Sequence, residues 1–331
     1  MPPLATEPAA RSHPQPPIRR WPVGATLAGL PATDFSAFLL TVLVWSSLHP
    51  IAKRTLAEIT PLQLPFSRVA LASLFLLGVC ATTGRIGGLL VLFRPRTLWK
   101  VVFLGATGFS LSSGLSMIAL SYLPAGVNSV LANASPLMVA LGVMVLLRER
   151  LPSQMLAGLL VGFAGVAVIA LRGGVNSSGL NPIGIVLSLV SSATWALYTV
   201  MARRLSAGQD VIAMSAATSL VGALPLGAAV AVEGEFGRLV GASLTAHLLL
   251  LWCGIVATGA TFTMWVLLLR RIDAARVSSF QYLIPLCALA LAYPIAGEVP
   301  TPVALGGAAM IVGGVAIANT VRLSPRPDRG G

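Results

Sequence analysis

The stretch from Ala125 to Ala170 reads AGVNSVLANASPLMVALGVMVLLRERLPSQMLAGLLVGFAGVAVIA, and it recurs 149 positions later as Ala274 to Asn319, AARVSSFQYLIPLCALALAYPIAGEVPTPVALGGAAMIVGGVAIAN. Ten of the 46 aligned positions are identical. In each copy a proline interrupts an apolar run, a glutamate follows in a short polar turn, and two glycines lie seven positions apart in the next apolar run. This shared order indicates an internal duplication, and the duplication decides the fold.

The composition places the chain in a membrane. Hydrophobic residues make up 56% of the 331 residues, charged residues 10%, and the mean hydropathy is +0.87, whereas soluble domains contain about 25% charged residues. A helix needs about 20 apolar residues to cross the hydrocarbon core. Because the apolar runs do not alternate as barrel strands do, we predict an all-α integral membrane protein. Ten windows of suitable length lie at 35–53, 62–82, 100–120, 125–147, 154–171, 183–202, 211–231, 244–268, 274–296 and 302–321.

The duplication extends to the beginning of each half. Trp45 in the first window corresponds to Trp195, 150 positions later. The predicted repeats therefore cover residues 35–171 and 183–321, with five helices each. Because five is odd, the second repeat must enter the membrane from the opposite side, so we predict ten transmembrane helices as two inverted five-helix repeats. Residues 1–34, with eight prolines, and residues 322–331 are predicted to be cytoplasmic tails, the first of them disordered.

The basic residues of the chain are distributed unequally between the two sides of the predicted membrane. The net charge is +12, and with an internal N-terminus 17 of the 22 Lys and Arg residues lie on the cytoplasmic side and four on the other. This asymmetry is the positive-inside rule, and it predicts that both termini are cytoplasmic. The first span is expected to act as its own signal anchor, without a cleaved signal peptide. The basicity therefore gives no reason to expect a nucleic-acid partner.

The pattern resembles a known family. The ten predicted helices, Pro61 and Arg68 at the beginning of the second helix, and the spacing of Pro136, Glu149 and Gly158 with their copies resemble the EamA-type transporters of the drug/metabolite transporter superfamily. The resemblance covers residues 35–321. It implies a carrier in the bacterial inner (plasma) membrane, often an exporter of amino acids or related small metabolites.

Two polar residues of the first two helices are candidates for substrate contact or coupling. Arg68 is the one full charge well inside a predicted span. It would bind a substrate carboxylate or phosphate, or else snorkel to headgroups or pair with Glu58. A histidine can change its charge between pH 5 and 8, so His49 is a candidate for proton coupling. Alternatively, it is a neutral imidazole bonded to a carbonyl that Pro50 frees.

The prolines of the fourth and ninth helices predict breaks near the membrane midplane. Asn133 precedes Pro136, and Gln281 and Tyr282 precede Pro285, each by about one turn. Breaks of this kind free backbone carbonyls next to side chains that can contact substrate. The alternative is that these side chains hydrogen-bond between helices and stabilise their packing.

Two symmetric residue pairs complete the predicted site. Trp45 and Trp195 are expected to face each other across a cavity between the halves, as substrate contacts or as core packing. Glu149 and Glu298 end helices at turns and are interpreted, with the two prolines, as caps or gate elements.

The function that fits these features is transport. The sequence contains no metal-ligand cluster and no nucleotide-binding motif, so we expect no cofactor, no catalytic residue and no direct use of ATP. We predict a secondary carrier that exports a small polar metabolite, such as an amino acid, by alternating access. The alternatives are a drug or toxic-compound efflux carrier of the same fold and, with less support, a membrane enzyme acting on lipid head groups. The expected partners are the substrate and the bilayer, and a homodimer stays open.

Overall fold

The computed structural model describes residues 32–123, 125–171, 181–296 and 301–320, and the regular elements in these ranges are helical. The first half contains α1 (Ala32–Ser46), α2 (Leu48–Thr55), α3 (Gln63–Thr82), α4 (Ile86–Leu92), α5 (Pro95–Gly105), α6 (Ser112–Leu120), α7 (Ala125–Ala132), α8 (Ser135–Leu146) and α9 (Ser153–Leu171). The second half contains α10 (Pro182–Leu205), α11 (Val211–Glu233), α12 (Phe236–Val240), α13 (Leu244–Leu251), α14 (Thr261–Arg271), α15 (Ala274–Ser279), α16 (Leu283–Ala296) and α17 (Pro302–Thr320). The predicted tails lie outside the described residues, except for residues 32–34, which begin α1.

Eight helical stretches in the described ranges are long and apolar enough to cross a membrane. They coincide with the predicted windows other than the first and the ninth. In the first window α1 ends at Ser46 and α2 begins at Leu48, and in the ninth a 3₁₀ turn at Phe280–Tyr282 separates α15 from α16. The two shorter stretches are therefore interrupted helices.

From the second helix onward, the order of elements in the first half recurs in the second, whereas the first helix is split into α1 and α2 in the first half and is continuous as α10 in the second. A π-helical segment at Ala106–Leu111 joins α5 to α6, and another at Trp252–Ala260 joins α13 to α14. The fourth helix of each half is broken about one turn before Pro136 or Pro285. The sequence analysis did not anticipate the π-helical segments, which are frequent at functional sites.

Repeated glycines hold the last helices of the two halves together. A Cβ added at Gly158 of α9 would lie 2.6 Å from the carbonyl oxygen of Gly314 in α17, and one added at Gly165 would lie 2.6 Å from that of Gly307. Gly158 is equivalent to Gly307 in the repeat, and Gly165 to Gly314, so the contact is reciprocal, as across a twofold axis. Residue numbers rise along one helix as they fall along the other, so α9 and α17 are antiparallel where they touch.

A second reciprocal contact positions the helix that carries Arg68. A Cβ added at Gly105 would lie 2.7 Å from the carbonyl oxygen of Thr218 in α11. Its repeat equivalent, Gly254, lies in the second π-helical segment, and a Cβ there would lie 3.2 Å from the carbonyl oxygen of Arg68 in α3. The third helical stretch of each half therefore packs closely on the second helix of the other half.

Polar contacts join the halves at both ends of the molecule. At the Asp34 end, Arg271 pairs with Asp34, and Arg85 pairs with Asp210, which also caps α11 by accepting a hydrogen bond from a backbone N–H. At the opposite end, called the Glu58 end, Glu58 accepts hydrogen bonds from the backbone N–H of Ser243 at 2.6 Å and from its hydroxyl at 2.9 Å. Neighbouring bonds there run from the Thr60 hydroxyl to Glu233 at 2.8 Å and from the Gln63 amide to the Glu235 carbonyl at 2.6 Å.

The Glu58 contact predicts that the stability of the fold depends on pH. The bonds from the Ser243 backbone N–H and hydroxyl hold the pKa of the Glu58 carboxyl below its usual range. A carboxyl with a lowered folded pKa stabilises the fold above its unfolded pKa of about 4.3, and this contribution disappears as the pH falls through the folded pKa. We therefore expect Glu58→Gln to lower the melting temperature at neutral pH and to have little effect in strong acid.

Thermal unfolding of the purified protein over a pH series measures this effect. Glu235→Gln, at the same end, is the control and should follow the wild type at every pH. A difference between Glu58→Gln and the wild type that stays constant down to strong acid would contradict the proposed role of the ionised carboxyl.

Candidate functional site

A cavity of about 260 Å³ lies between the two halves. Leu64 and Pro65, in the first turn of α3, and Met117, in the last turn of α6, place one side of the cavity at the Glu58 end. The lining combines aromatic and aliphatic side chains with serines, one amide and one guanidinium. The described lining residues are Trp45, Leu48, Leu64, Pro65, Arg68, Gly108, Ser112, Ser113, Ser116, Met117, Ala132, Ser191, Ser192, Trp195, Phe262 and Gln281.

Aromatic rings form the floor of the cavity toward the Asp34 end. Trp45 and Trp195 pack edge to face with their ring centroids 5.8 Å apart, and both lie close to Trp265, which is 1% exposed. Phe109 stacks on Phe262 at 4.7 Å. The two tryptophans predicted to face each other across a cavity are therefore in contact at its floor.

Trp45 is also hydrogen-bonded to the other half. Its indole N–H donates to the hydroxyl of Thr261 at 2.9 Å and to the carbonyl of Ala257 at 3.2 Å. Both acceptors lie where the second π-helical segment joins α14. The floor can open only if these hydrogen bonds break or if α1 and α14 move together.

Arg68 is the charged residue in the described lining of the cavity. Its Nη2 donates to the hydroxyl of Ser113 in α6 at 2.9 Å, while its buried Nε has no hydrogen-bond partner in the described ranges. No carboxylate in those ranges forms an ion pair with Arg68. Glu58, the partner considered from the sequence, is bound to Ser243 instead. The guanidinium therefore lines the cavity and retains a donor for a ligand.

The serines of α6 and α10 form the polar wall. The sequence analysis did not assign them to the site, although their position in the middle of apolar helices is a signal for it. Ser191 donates to the Ser112 carbonyl at 2.6 Å. Ser192 donates to the carbonyl of Leu131 at 2.6 Å, where the break in the fourth helix leaves carbonyls available. The carbonyl at this break is thus bonded within the protein.

Gln281 occupies the equivalent break in the second half. It is 7% exposed, lies in the 3₁₀ turn between α15 and α16, and lines the cavity. Its Oε1 accepts a hydrogen bond from Ser135 at 3.4 Å, which orients the amide N–H₂ group away from that contact. Its repeat equivalent, Ala132, also lines the cavity.

Comparison with known proteins identifies the fold. A profile of the EamA-like transporter family matches the chain twice, over residues 35–171 and 182–320. The chain belongs to the EamA-like transporter family. The transporter is 30% identical over 294 residues to a probable terminal-alkyne amino-acid exporter of Streptantibioticus cattleyicolor, covering 88% of this chain and 95% of that protein. It is 27% identical over 296 residues to a probable amino-acid metabolite efflux pump of Salmonella typhimurium, covering 84% and 92%.

A solved structure has the same fold. A crystal structure of a protein aligns with the transporter at a TM-score of 0.70 and 20% identity, covering 88% of this chain and 98% of that chain. Together with the family match and the apolar helices, these findings make the chain a multi-pass membrane transporter, in a family of transporters and not of enzymes.

Two of the predicted substrate contacts of the transporter lie outside the cavity. Asn133 donates to the carbonyl of Ser129 in its own helix at 2.8 Å. Tyr282 is 0% exposed and packs against Gly162 of α9, where an added Cβ would lie 2.7 Å from its ring. The side chain of His49 lies outside the described residues. Of the predicted contacts, Trp45, Arg68, Trp195 and Gln281 line the cavity.

The predicted gate residues have different environments. Pro136 is buried in α8, and Pro285 is partly buried in α16. Glu149 lies between α8 and α9, next to Arg148, whose φ of 53° is left-handed. Glu298 lies outside the described residues.

The structure buries a second guanidinium. Arg276 in α15 is 8% exposed, although it is one of the 17 basic residues that the sequence analysis placed on the cytoplasmic side. Arg276 is the third residue of the predicted ninth window, 274–296, and its burial could not be inferred from that window alone.

Proposed function

We propose that the transporter is a secondary carrier that exports a small polar metabolite with an anionic group, such as an amino acid, by alternating access. The observation that carries this proposal is Arg68, which lines a cavity between the halves with an unpaired Nε and no described carboxylate partner. A guanidinium binds carboxylates and phosphates through charge-assisted hydrogen bonds. The names of the two relatives, an amino-acid exporter and an amino-acid metabolite efflux pump, agree with this substrate class.

The proposed architecture is a pair of inverted five-helix repeats with ten spans. The antiparallel, reciprocal contact of α9 with α17 supports it, since these are the fifth helices of the two halves. The positive-inside asymmetry favours cytoplasmic termini and an inner-membrane location, with the Asp34 end facing the cytoplasm. Rocking of one repeat against the other would then expose the cavity alternately.

A carrier for cationic drugs is less consistent with this cavity. Aromatic rings and aliphatic side chains suit an apolar cargo, but a cation would meet the positive charge of Arg68. In the described lining no carboxylate offsets that charge. Cationic drugs therefore serve as the comparison in a transport assay.

The test is transport of a labelled amino-acid mixture by proteoliposomes containing the wild type or Arg68→Ala. Hydrogen bonds to a charged group contribute about 1.5–3 kcal/mol, so we expect Arg68→Ala to reduce transport by roughly tenfold to a hundredfold. Arg68→Lys should retain only part of the wild-type transport, because a lysine cannot bind a carboxylate through two parallel hydrogen bonds.

The control is Arg96→Ala, which removes an exposed arginine from the first turn of α5. It should transport at the wild-type rate. Equal transport by Arg68→Ala and the wild type, at equal amounts of folded protein, would refute the proposal that Arg68 binds the anionic group of the substrate. A screen of cationic drugs, nucleosides and sugars would then identify the cargo.

A further inference from the structure

We infer that the transporter works as an exchanger: the substrate-free carrier reorients slowly because Arg68 has no counter-charge among the described residues, and the anionic group of a substrate supplies one. This inference rests on the proposed alternating access and adds the mode of transport. Export of one solute would then require the return of another solute that also carries an anionic group.

The first step of the argument is the depth of Arg68. It lies five positions after Gln63, at the Glu58 end of α3, which is about 8 Å along the helix. The aromatic floor lies beyond it, toward the Asp34 end. To open the cavity at the Asp34 end, the protein must close the Glu58 end over Arg68. The guanidinium therefore loses water during each reorientation.

The second step is the absence of any compensating charge in the described lining. Arg68 is the charged member of that lining, its hydroxyl partner Ser113 is neutral, and its Nε is unbonded. The repeat equivalent of Arg68 is Thr218, which is 3% exposed and donates within its own helix to Met214 at 2.8 Å. The pseudo-symmetric position thus supplies no carboxylate.

The third step is the free-energy difference between the loaded and the substrate-free carrier. Burying an unpaired charge is strongly unfavourable, and pairing it with a hydrogen-bonded opposite charge removes much of the penalty. A carboxylate or phosphate on Arg68 therefore lowers the barrier to reorientation. After it releases its substrate, the carrier must reorient to its starting conformation. This return is fast only when the carrier binds another anionic solute.

The first experiment compares exchange with net uptake in proteoliposomes of the full chain. The probe is a radiolabelled amino-acid mixture, added outside liposomes filled either with the unlabelled mixture or with buffer. For the wild type we expect an initial rate at least about tenfold higher in the preloaded liposomes. For Arg68→Gln, which is neutral and retains an amide donor for Ser113, the ratio should fall close to one. Equal wild-type rates into both kinds of liposome would overturn the inference.

The second experiment needs no substrate. Ser116, which lines the cavity, is replaced by cysteine in a chain whose native Cys80, Cys253 and Cys287 are replaced by alanine. An impermeant maleimide is added to washed right-side-out or inside-out membrane vesicles. With Arg68 present the cysteine should react mainly from one side, and with Arg68→Gln from both sides.

The two experiments separate the inference from the substrate proposal. If no variant transports the amino-acid mixture, the proposed substrate class fails, and the labelling pattern alone decides the mode of transport. Labelling of the Arg68 protein at equal rates from both sides would overturn the slow return of the substrate-free carrier. One-sided labelling that persists in Arg68→Gln would overturn the role of the charge.

Discussion

Replacing Gly314 by leucine should leave little folded transporter, whereas the same replacement at the adjacent Gly313 should leave its amount and stability nearly unchanged. A Cβ at Gly314 would lie 2.6 Å from the carbonyl oxygen of Gly158, closer than real Cβ atoms approach other atoms. At Gly313 no described atom lies within 4 Å of an added Cβ, outside its own helical surroundings. The two variants have the same composition and differ by one position.

The expected effect is large because helix packing in a membrane depends on close approach. Helices in lipid gain little from hydrophobic burial against one another, so van der Waals contact between small residues supplies much of their association. Overpacking by a few methylenes costs about 1–3 kcal/mol in a well-packed core. At Gly314 even the first carbon meets backbone, which cannot rotate away as a side chain can.

The measurement is the yield and melting temperature of the monodisperse protein after size-exclusion chromatography. Gly165→Leu is the reciprocal test, because Gly165 meets the carbonyl of Gly307 in the same antiparallel contact. It should be as damaging as Gly314→Leu. A Gly314→Leu protein with wild-type yield and melting temperature would show that α9 and α17 do not need this close contact.

The glycines of this contact could be located in the sequence, but the contact itself could not. The glycines stand at the same places in both copies of the repeat, so their shared position pointed to a packing surface. The partner surface could not be read from the pattern, because the spacing of Gly158 and Gly165 defines a helix face and not what lies against it. The reciprocal contact of α9 with α17 needed the three-dimensional arrangement.

The site was predictable only in part, for a related reason. Trp45, Arg68, Trp195 and Gln281 are polar or amphipathic residues in apolar helices, and they line the cavity. Tyr282 is adjacent to Gln281 but is completely buried. Proximity to a proline break indicates depth in the membrane, but the rotation of each side chain about the helix axis depends on neighbouring helices.

The π-helical segments limited prediction further. They carry no proline, and their sequences, ATGFSL and WCGIVATGA, read as ordinary small and apolar helix. Each adds residues per turn and so shifts the faces of the helix that follows. Phe262, just after the second segment, therefore reaches the cavity floor without a sequence signal.

The second large effect is expected for Trp45→Ala, which should reduce transport by more than about tenfold and lower the melting temperature by several degrees. Trp45 is 6% exposed, and removal of a buried aromatic side chain costs about 3–5 kcal/mol. The substitution also removes the hydrogen bonds to Thr261 and Ala257 and the edge contact with Trp195. A gap would then open in the aromatic floor of the cavity.

Two further variants separate the contribution of the Trp45 ring to stability from that of its hydrogen bond. Trp45→Phe keeps much of the aromatic contact but removes the indole donor, and Thr261→Val removes the acceptor at 2.9 Å. If the bond matters, each should lower stability by about 1 kcal/mol, and the double variant should lose less than the sum of the two, because both remove the same bond. Trp99→Ala, at a side chain that is 54% exposed, is the control for loss of a tryptophan.

Trp45→Phe and Trp45→Ala should differ in both stability and transport. Because Trp45→Phe preserves the packing of the floor against Trp195 and Phe262, we expect it to fold well and to transport more than Trp45→Ala. If Trp45→Ala instead transports like Trp99→Ala at equal amounts of folded protein, the aromatic floor does not contact the cargo. The substrate would then be bound by Arg68 and the serine wall without aromatic support.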